Sequence, residues 1–478
     1  MGGQRPRPAG RMGGDPVYRR LLSNTFLFSV STFGSKLLLF LLTPFYTSVL
    51  SQGEYGVTDL IMQTGNILIP VVSVGITNAV LRFGLDAGSD RRCLFTTGLA
   101  TVLLGEGVLF LLSPLLQGVG LLSEYTGLIL LYVLMANLHG VCSSMAQALD
   151  RVRLYAGSGI LCTALVVGCN VLLLSVFQLG IVGYVLSNII ADGLATLFLV
   201  FALKLWRYLR PASLDRRLVR RMLRYCLPLI PATVCDWVIQ VSDRYFLSLL
   251  LGPAVSGLYA VSAKVATILL MLASIFTSAW QLSIVSDRSR GEQERFFSNV
   301  FSVYEAGVVA GGALLILAAP LVVDLLAAPE YFEAWRCAPL LVLGAVVSCL
   351  GAFFASVYMA ELRSGATLLT ALAGAGANLV GNALLIPRLG AMGAAGATLG
   401  AYLVILAARG IHSRRLLRVA WHLPRFLLAL GLLGLQCWGM YGGRFPLALA
   451  CCAGVAALYA RPLWRGITTG LRSLKRGG

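Results

Sequence analysis

Asp236, Gln240, Asp243 and Arg244 are four polar or charged side chains in the otherwise apolar stretch from Tyr225 to Ala260. On one helix Asp236, Gln240 and Asp243 stand at i, i+4 and i+7 and form a single polar stripe. A carboxylate at the centre of a membrane-length helix costs roughly 2.5 to 3.5 kcal/mol unless it faces other helices or water. The stripe therefore points to an internal aqueous path or to partners on neighbouring helices. Asp243 and Arg244 project about 100° apart, so they need not pair, and the arginine is free to reach the outer headgroups. Asp59, Gln63, Asn66 and Pro70 make a second stripe at i, i+4, i+7 and i+11. Lys36, Glu106, Asp192, Lys264 and Glu305 add charges at membrane depth.

These groups divide by spacing. Lys36, Asp59, Asp236, Asp243, Arg244 and Lys264 cluster in the first two spans of each half of the chain and read as a substrate or ion pathway. Gln63, Asn66 and Gln240 join them on the same stripes. Glu106, Asn137, His139, Asn170, Asn378 and Asn382 are single polar residues on apolar spans and read as interhelical hydrogen-bonding groups. No catalytic set is visible: His139 lies within a span, His412 and His422 lie in a basic loop, and no nucleophile is arranged beside them. No glycine-rich loop ending in GK[ST] is present to hold a nucleoside triphosphate.

The elements carrying these residues must be membrane helices. Hydrophobic residues make up 58% of the 478, and only 12% are charged, with a mean hydropathy of +0.83. Such a composition excludes a soluble globular protein. The net charge of +18 is not a nucleic-acid footprint, because Lys and Arg occur in short clusters between long apolar runs, the pattern of cytoplasmic loops. The 11 cysteines lie almost wholly inside apolar runs, with no CxxC pair and no histidine at ligand spacing, so neither disulfides nor a metal site is expected.

Apolar runs of about twenty residues give about fourteen spans, from 24–50 and 54–80 at one end to 424–442 and 445–461 at the other. With a cytoplasmic N-terminus, most of the 38 Lys and Arg residues fall in loops on one side, which places both termini in the cytoplasm. The halves repeat: Leu50-Ser-Gln-Gly-Glu-Tyr-Gly56 corresponds to Leu251-Gly-Pro-Ala-Val-Ser-Gly257, and Gly168-Cys-Asn170 to Gly376-Ala-Asn378. Lys36 and Asp236 then fall one position apart in register and at one depth. The expected fold is an all-α polytopic membrane protein with two six-helix parallel-repeat bundles around a central cavity, plus two C-terminal helices. Its parts are a disordered cytoplasmic tail (1–23), an N-terminal bundle (24–203), a basic cytoplasmic linker (204–224), a C-terminal bundle (225–412), and two extra helices with a cytoplasmic tail (413–478). Small residues from Gly390 to Ala401, GAMGAAGATLGA, should pack helices closely.

The segment Asn24–Phe83, with SQGEYGVTDL and PVVSVGITNAVLRF, carries a family resemblance, as does Pro228–Trp280 with PLIP, SDRYF, GLYAVSAKVATI and FTSAW. The chain resembles a polysaccharide or lipid-linked oligosaccharide flippase of the multidrug/oligosaccharidyl-lipid/polysaccharide exporter superfamily. That resemblance implies two bundles in a V, open to one side at a time. It also implies translocation of a polyprenyl-diphosphate-linked glycan from the cytoplasmic to the outer leaflet of the plasma membrane. Lys36 and Lys264 would then attract the diphosphate, while Asp59, Gln63, Asn66, Asp236 and Gln240 would bind sugar hydroxyls or a coupling cation. The sequence departs from the peptidoglycan-precursor branch, whose cavity carries several arginines, because its first half offers only Lys36 at that depth. Expected partners are the lipid-linked glycan, membrane lipid and other polysaccharide-assembly membrane proteins. No cofactor is implied beyond a coupling proton or sodium ion. A cation-coupled multidrug exporter of the same superfamily is the alternative. A glycan polymerase or acyltransferase would need a large outer loop or a histidine-centred site, and the loops here are short.

Overall fold

Backbone groups in hydrocarbon must be satisfied within their own segment, so each apolar run folds as a helix. The computed structural model describes residues 37–38, 40–85, 90–118, 120, 122–210, 215–284, 290–360 and 364–477. Lys36, the tail 1–23 and the beginning of the expected first span lie outside the described residues. Among the described residues there are sixteen α-helices and no strand. Twelve helices are long and apolar enough to cross a membrane, or thirteen with one bent pair. Two compact units group the chain: Met1–Leu42, Val72–Leu112 and Leu130–Cys226 in one, and Thr43–Val71, Ser113–Ile129 and Leu227–Gly478 in the other.

The opening helices are α1 (Thr43–Val49), α2 (Gln52–Val72) and α3 (Ile76–Gly84). The run expected as one span, 54–80, is broken: α2 and α3 meet at 52°. Val74 and Gly75 adopt φ of 54° and 63°, which ends the right-handed helix and is unusual for a β-branched residue.

Next come α4 (Arg91–Gln117) and α5 (Thr126–Ala148), which belong to the first unit up to Leu112 and from Leu130, and, wholly in that unit, α6 (Val152–Asn170), α7 (Gly180–Leu203) and α8 (Arg216–Cys226). The basic stretch expected as a plain linker thus contains an amphipathic helix. Leu218, Met222 and Cys226 recur every four residues along α8, and all three are buried with Ile76, Val80, Leu94 and Met145. Its arginines cover the opposite face.

In the second unit follow α9 (Ile230–Leu251), α10 (Pro253–Ile284), α11 (Arg290–Leu326), α12 (Ala338–Ala360), α13 (Ser364–Leu389), α14 (Ala391–Ser413), α15 (Leu423–Tyr441) and α16 (Phe445–Gly477). Gly56 of α2 and Gly257 of α10, which the sequence register aligns, meet directly. A Cβ on Gly56 would fall on Pro253 O and one on Gly257 on Gln52 O, so only glycine permits this approach. Small-residue packing also holds where α14 was expected to pack closely: Gly393 abuts the Leu385 backbone, and a Cβ on Gly381 would lie 2.9 Å from that of Ala397. Trp280, the end of FTSAW, stacks on Phe353 at 5.3 Å and donates its indole N–H to Ser356 Oγ at 3.0 Å. A turn at Pro329–Arg336 binds α1 and α2: Tyr331 donates to Leu50 O at 2.8 Å, and Gln52 donates to Glu330 O at 2.6 Å. Burial, with Glu330 and Glu54 nearby, pushes the Tyr331 phenol above its ordinary range and keeps it a donor.

Glu305, expected as a charge toward the cytoplasmic side, is 1% exposed. It accepts from Arg425 of α15 at 3.1 Å and from Tyr459 of α16 at 2.8 Å, which ties the last two membrane helices to α11. All eleven cysteines are free; only Cys162 and Cys169 are not fully buried.

Candidate functional site

Of the expected site residues, Asp59, Gln63, Gln240, Asp243, Arg244 and Lys264 line one cavity of about 210 Å³ in the second unit. The α2 stripe supplies Asp59 and Gln63, α9 supplies Gln240, Asp243 and Arg244, and α10 supplies Lys264. Trp237 fixes α9 against α2 by donating to Gln63 O at 2.9 Å, and Tyr245 and Thr64 share a hydrogen bond between the same helices.

Arg244 does not reach the headgroups. It is 8% exposed, its Nε lies 2.8 Å from Asp59 Oδ2, and its Nη1 donates to Gln240 O at 2.7 Å. Its burial leaves the guanidinium no route outward, and the α2 carboxylate compensates it. Lys264 lies within electrostatic range of both Asp59 and Arg244. Two cations therefore line one cavity with two carboxylates, Asp59 and Asp243, and Asp59 acts on both cations.

Asp243 is 2% exposed and turned into a separate network. Its Oδ2 accepts from Tyr259 at 2.5 Å and from Thr398 at 3.3 Å, and its Oδ1 takes the Arg244 backbone N–H at 2.9 Å. Ser242 donates to Asn378 Oδ1 at 2.6 Å, and Asn382 Nδ2 donates to Ser242 Oγ and Asn378 Oδ1, both at 3.1 Å. Asn378 and Asn382 thus serve the interhelical bonding expected of them, and they do so beside the cavity. Thr398, Tyr259 and Ser242 carried no periodic signal in the sequence, since a hydroxyl on an apolar helix matches any packing position.

Two expected site residues do not line this cavity. Asn66 is exposed on α2. Asp236 is also exposed, within electrostatic reach of Arg409. Arg409, counted among loop residues from the sequence, lies within α14, buried and donating to Thr370 Oγ1 and Gly351 O, each at 3.1 Å.

In the first unit, Asp192 Oδ1 hydrogen-bonds His139 Nδ1 at 2.9 Å and accepts from Cys162 Sγ at 3.5 Å. The expectation that no cysteine has a histidine at ligand spacing holds along the chain but not in space: the ligand atoms of the three residues lie within 4.8 Å of one another. Three helices, α5, α6 and α7, bring them together, a coincidence no linear spacing encodes.

This helical bundle with a charged internal cavity has the fold of membrane transporters. It matches the solved "Lipid II flippase MurJ, inward closed conformation" with a TM-score of 0.67 at 12% identity, over 93% of this chain and 100% of the other. An inward-facing multidrug resistance MATE family transporter of the MOP superfamily matches with a TM-score of 0.63 at 14% identity, over 82% and 97%. A MOP superfamily transporter from Pyrococcus furiosus, described by a reversed polarity of its binding pocket, gives 0.57 at 15% identity, over 84% and 96%. The sequence itself matches the family described as "Polysaccharide biosynthesis protein" over residues 21–281. The chain belongs to that family. No curated protein sequence matches it significantly.

Proposed function

We propose that this protein is a flippase that carries a polyprenyl-diphosphate-linked oligosaccharide, a cell-surface polysaccharide precursor, from the cytoplasmic to the outer leaflet of the plasma membrane by alternating access. The observation that carries this reading is the pairing of Arg244 with Asp59 beside Lys264 on one cavity wall. An arriving diphosphate exchanges with Asp59 as the partner of Arg244, so the guanidinium is compensated in the empty and the loaded states alike. Without such an exchange, one state would leave a buried charge unpaired, at a cost of about 3 to 5 kcal/mol. Lys264 supplies the second positive charge, and Lys36 a third from the first span. Gln63 and Gln240 offer amide donors and acceptors to sugar hydroxyls, while the polyprenyl tail stays in lipid. Asp243 holds the coupling proton or sodium ion, with the Thr398 hydroxyl and the Asn378 and Asn382 amides as further oxygen donors. Both termini face the cytoplasm, and other polysaccharide-assembly membrane proteins act before and after this step.

A multidrug exporter is the competing reading, favoured by Asp59 and Asp243 lining the same cavity. One experiment separates the two. Proteoliposomes are loaded with a fluorescent polyprenyl-diphosphate oligosaccharide, and its exposure to an external glycosidase is followed with and without a sodium or proton gradient; ethidium efflux is followed in parallel. Lipid-linked glycan exposure that falls at least tenfold in Arg244→Gln and Lys264→Gln is the expected result. Ethidium efflux without glycan movement would overturn it.

A further inference from the structure

The first unit holds a second cavity, of about 500 Å³, whose chemistry differs from that of the charged site. Val72, Ala100, Leu104, Val108, Val219 and Leu223 make its wall almost wholly apolar, and Arg216 stands among its lining residues as the one charged group. Along α4 the lining runs from Thr97 to Val108, a length of roughly 16 Å at 1.5 Å per residue. That is the shape of a slot for a hydrocarbon chain and not for a hydrated sugar.

The helix beside the slot has a matching polar face. Arg216, Arg217, Arg220, Arg221 and Arg224 of α8 are all exposed, and no ion pair involves them among the described residues. The opposite face, Leu218, Met222 and Cys226, is buried. Trp206 is 50% exposed and Tyr225 41%, aromatic side chains of the kind that sit at headgroup level. A basic amphipathic helix flanked by such aromatics lies in a membrane interface, and each cation near an anionic surface strengthens binding about fivefold.

From this juxtaposition of an apolar slot with an arginine face at its mouth, we infer that the first unit binds one anionic glycerophospholipid of the cytoplasmic leaflet, with an acyl chain in the slot and its phosphate at Arg216. The inference is independent of the transported substrate. Charge complementarity selects this occupant: five uncompensated guanidiniums along one helix suit a leaflet of many monoanionic headgroups better than a single substrate molecule. The chain would rest against Val72 and Val74, at the break between α2 and α3, and would therefore steady that bend.

The test uses the purified full-length protein in detergent, titrated with phosphatidylglycerol or phosphatidylcholine and read by native mass spectrometry. One tightly held phosphatidylglycerol, preferred about tenfold or more over phosphatidylcholine, is expected. Arg216→Gln should reduce the preference about fivefold. Ala100→Phe, which fills the slot and keeps every arginine, should abolish the tight adduct, and Leu104→Trp should do the same from the slot's open side. Equal retention of both lipids would overturn the proposal. So would full phosphatidylglycerol retention in both slot-filling variants, because headgroups would then bind the arginines with no chain in the slot. Retention of a polyprenyl phosphate in preference to phosphatidylglycerol when both are supplied at equal concentration would assign the slot to the substrate tail and overturn it equally.

Discussion

Asp59 and Arg244 stand 2.8 Å apart, with 14% and 10% of their side chains exposed, so each offsets a charge that the other would otherwise bury alone. Arg244→Met alone, or Asp59→Ala alone, should lower stability by about 3 to 5 kcal/mol, and the double variant should recover most of that loss, because the cost lies in the unpaired charge. Thermal unfolding in detergent across the four proteins measures the coupling. Glycan transport should stay absent in the double variant even where stability returns. Recovery of transport together with stability would make the pair architecture only. The stripe that carries Asp59 was legible from helical periodicity, since i, i+4 and i+7 mark one face whatever the fold, whereas Arg244 stands off the stripe of Asp236, Gln240 and Asp243. Which carboxylate meets which cation was not legible. Asp59 and Arg244 belong to segments far apart in sequence, and only the packing of α2 on α9 makes them partners.

At the level of elements, the glycine contact between α2 and α10 sets how closely the two helices approach. Gly56→Val and Gly257→Val should each destabilise the protein by more than the about 1 to 3 kcal/mol typical of overpacking, since backbone occupies the space a side chain needs. Because both changes part the same two helices, the double variant should cost less than the sum of the singles, which a thermal-unfolding cycle would show. A second element-scale prediction concerns Glu305. Glu305→Ala leaves the half-buried Arg425 and the buried Tyr459 without their carboxylate partner, so α15 and α16 should loosen, and limited proteolysis in the 414–422 connection should accelerate. Unchanged cleavage would show that Gln436, donating to Ala313 O at 2.8 Å, holds the pair by itself. Most helix positions were readable to within a few residues because hydrocarbon thickness fixes their length, but α11 begins at Arg290 where 298 was expected and α16 runs to Gly477 where 461 was expected. The break at Val74 was not, since no proline or glycine cluster forces a left-handed valine. Nor was α8: its four-residue apolar spacing, Leu218, Met222 and Cys226, was hidden among arginines.

For the whole molecule, the distribution of basic residues makes one demand on topology. A cysteine introduced at Arg217 and one introduced within 328–335 should be labelled from opposite sides of the membrane, and labelling from the same side would overturn the assignment of α8 to the cytoplasmic face. Family membership and fold emerged from sequence motifs spread along the chain, whereas the grouping of Thr43–Val71 with the second half arose from contacts that no local pattern announces. The cysteines bear on how all of this can be examined. Nine of the eleven are buried, and burial pushes the thiols of residues such as Cys437 and Cys452 away from maleimide-reactive exposure by steric exclusion alone. The native chain is therefore nearly silent to a membrane-impermeant thiol reagent. A single introduced cysteine should report against that background without a cysteine-free parent, so that sidedness, lipid occupancy and substrate protection can all be read on the protein as it naturally folds.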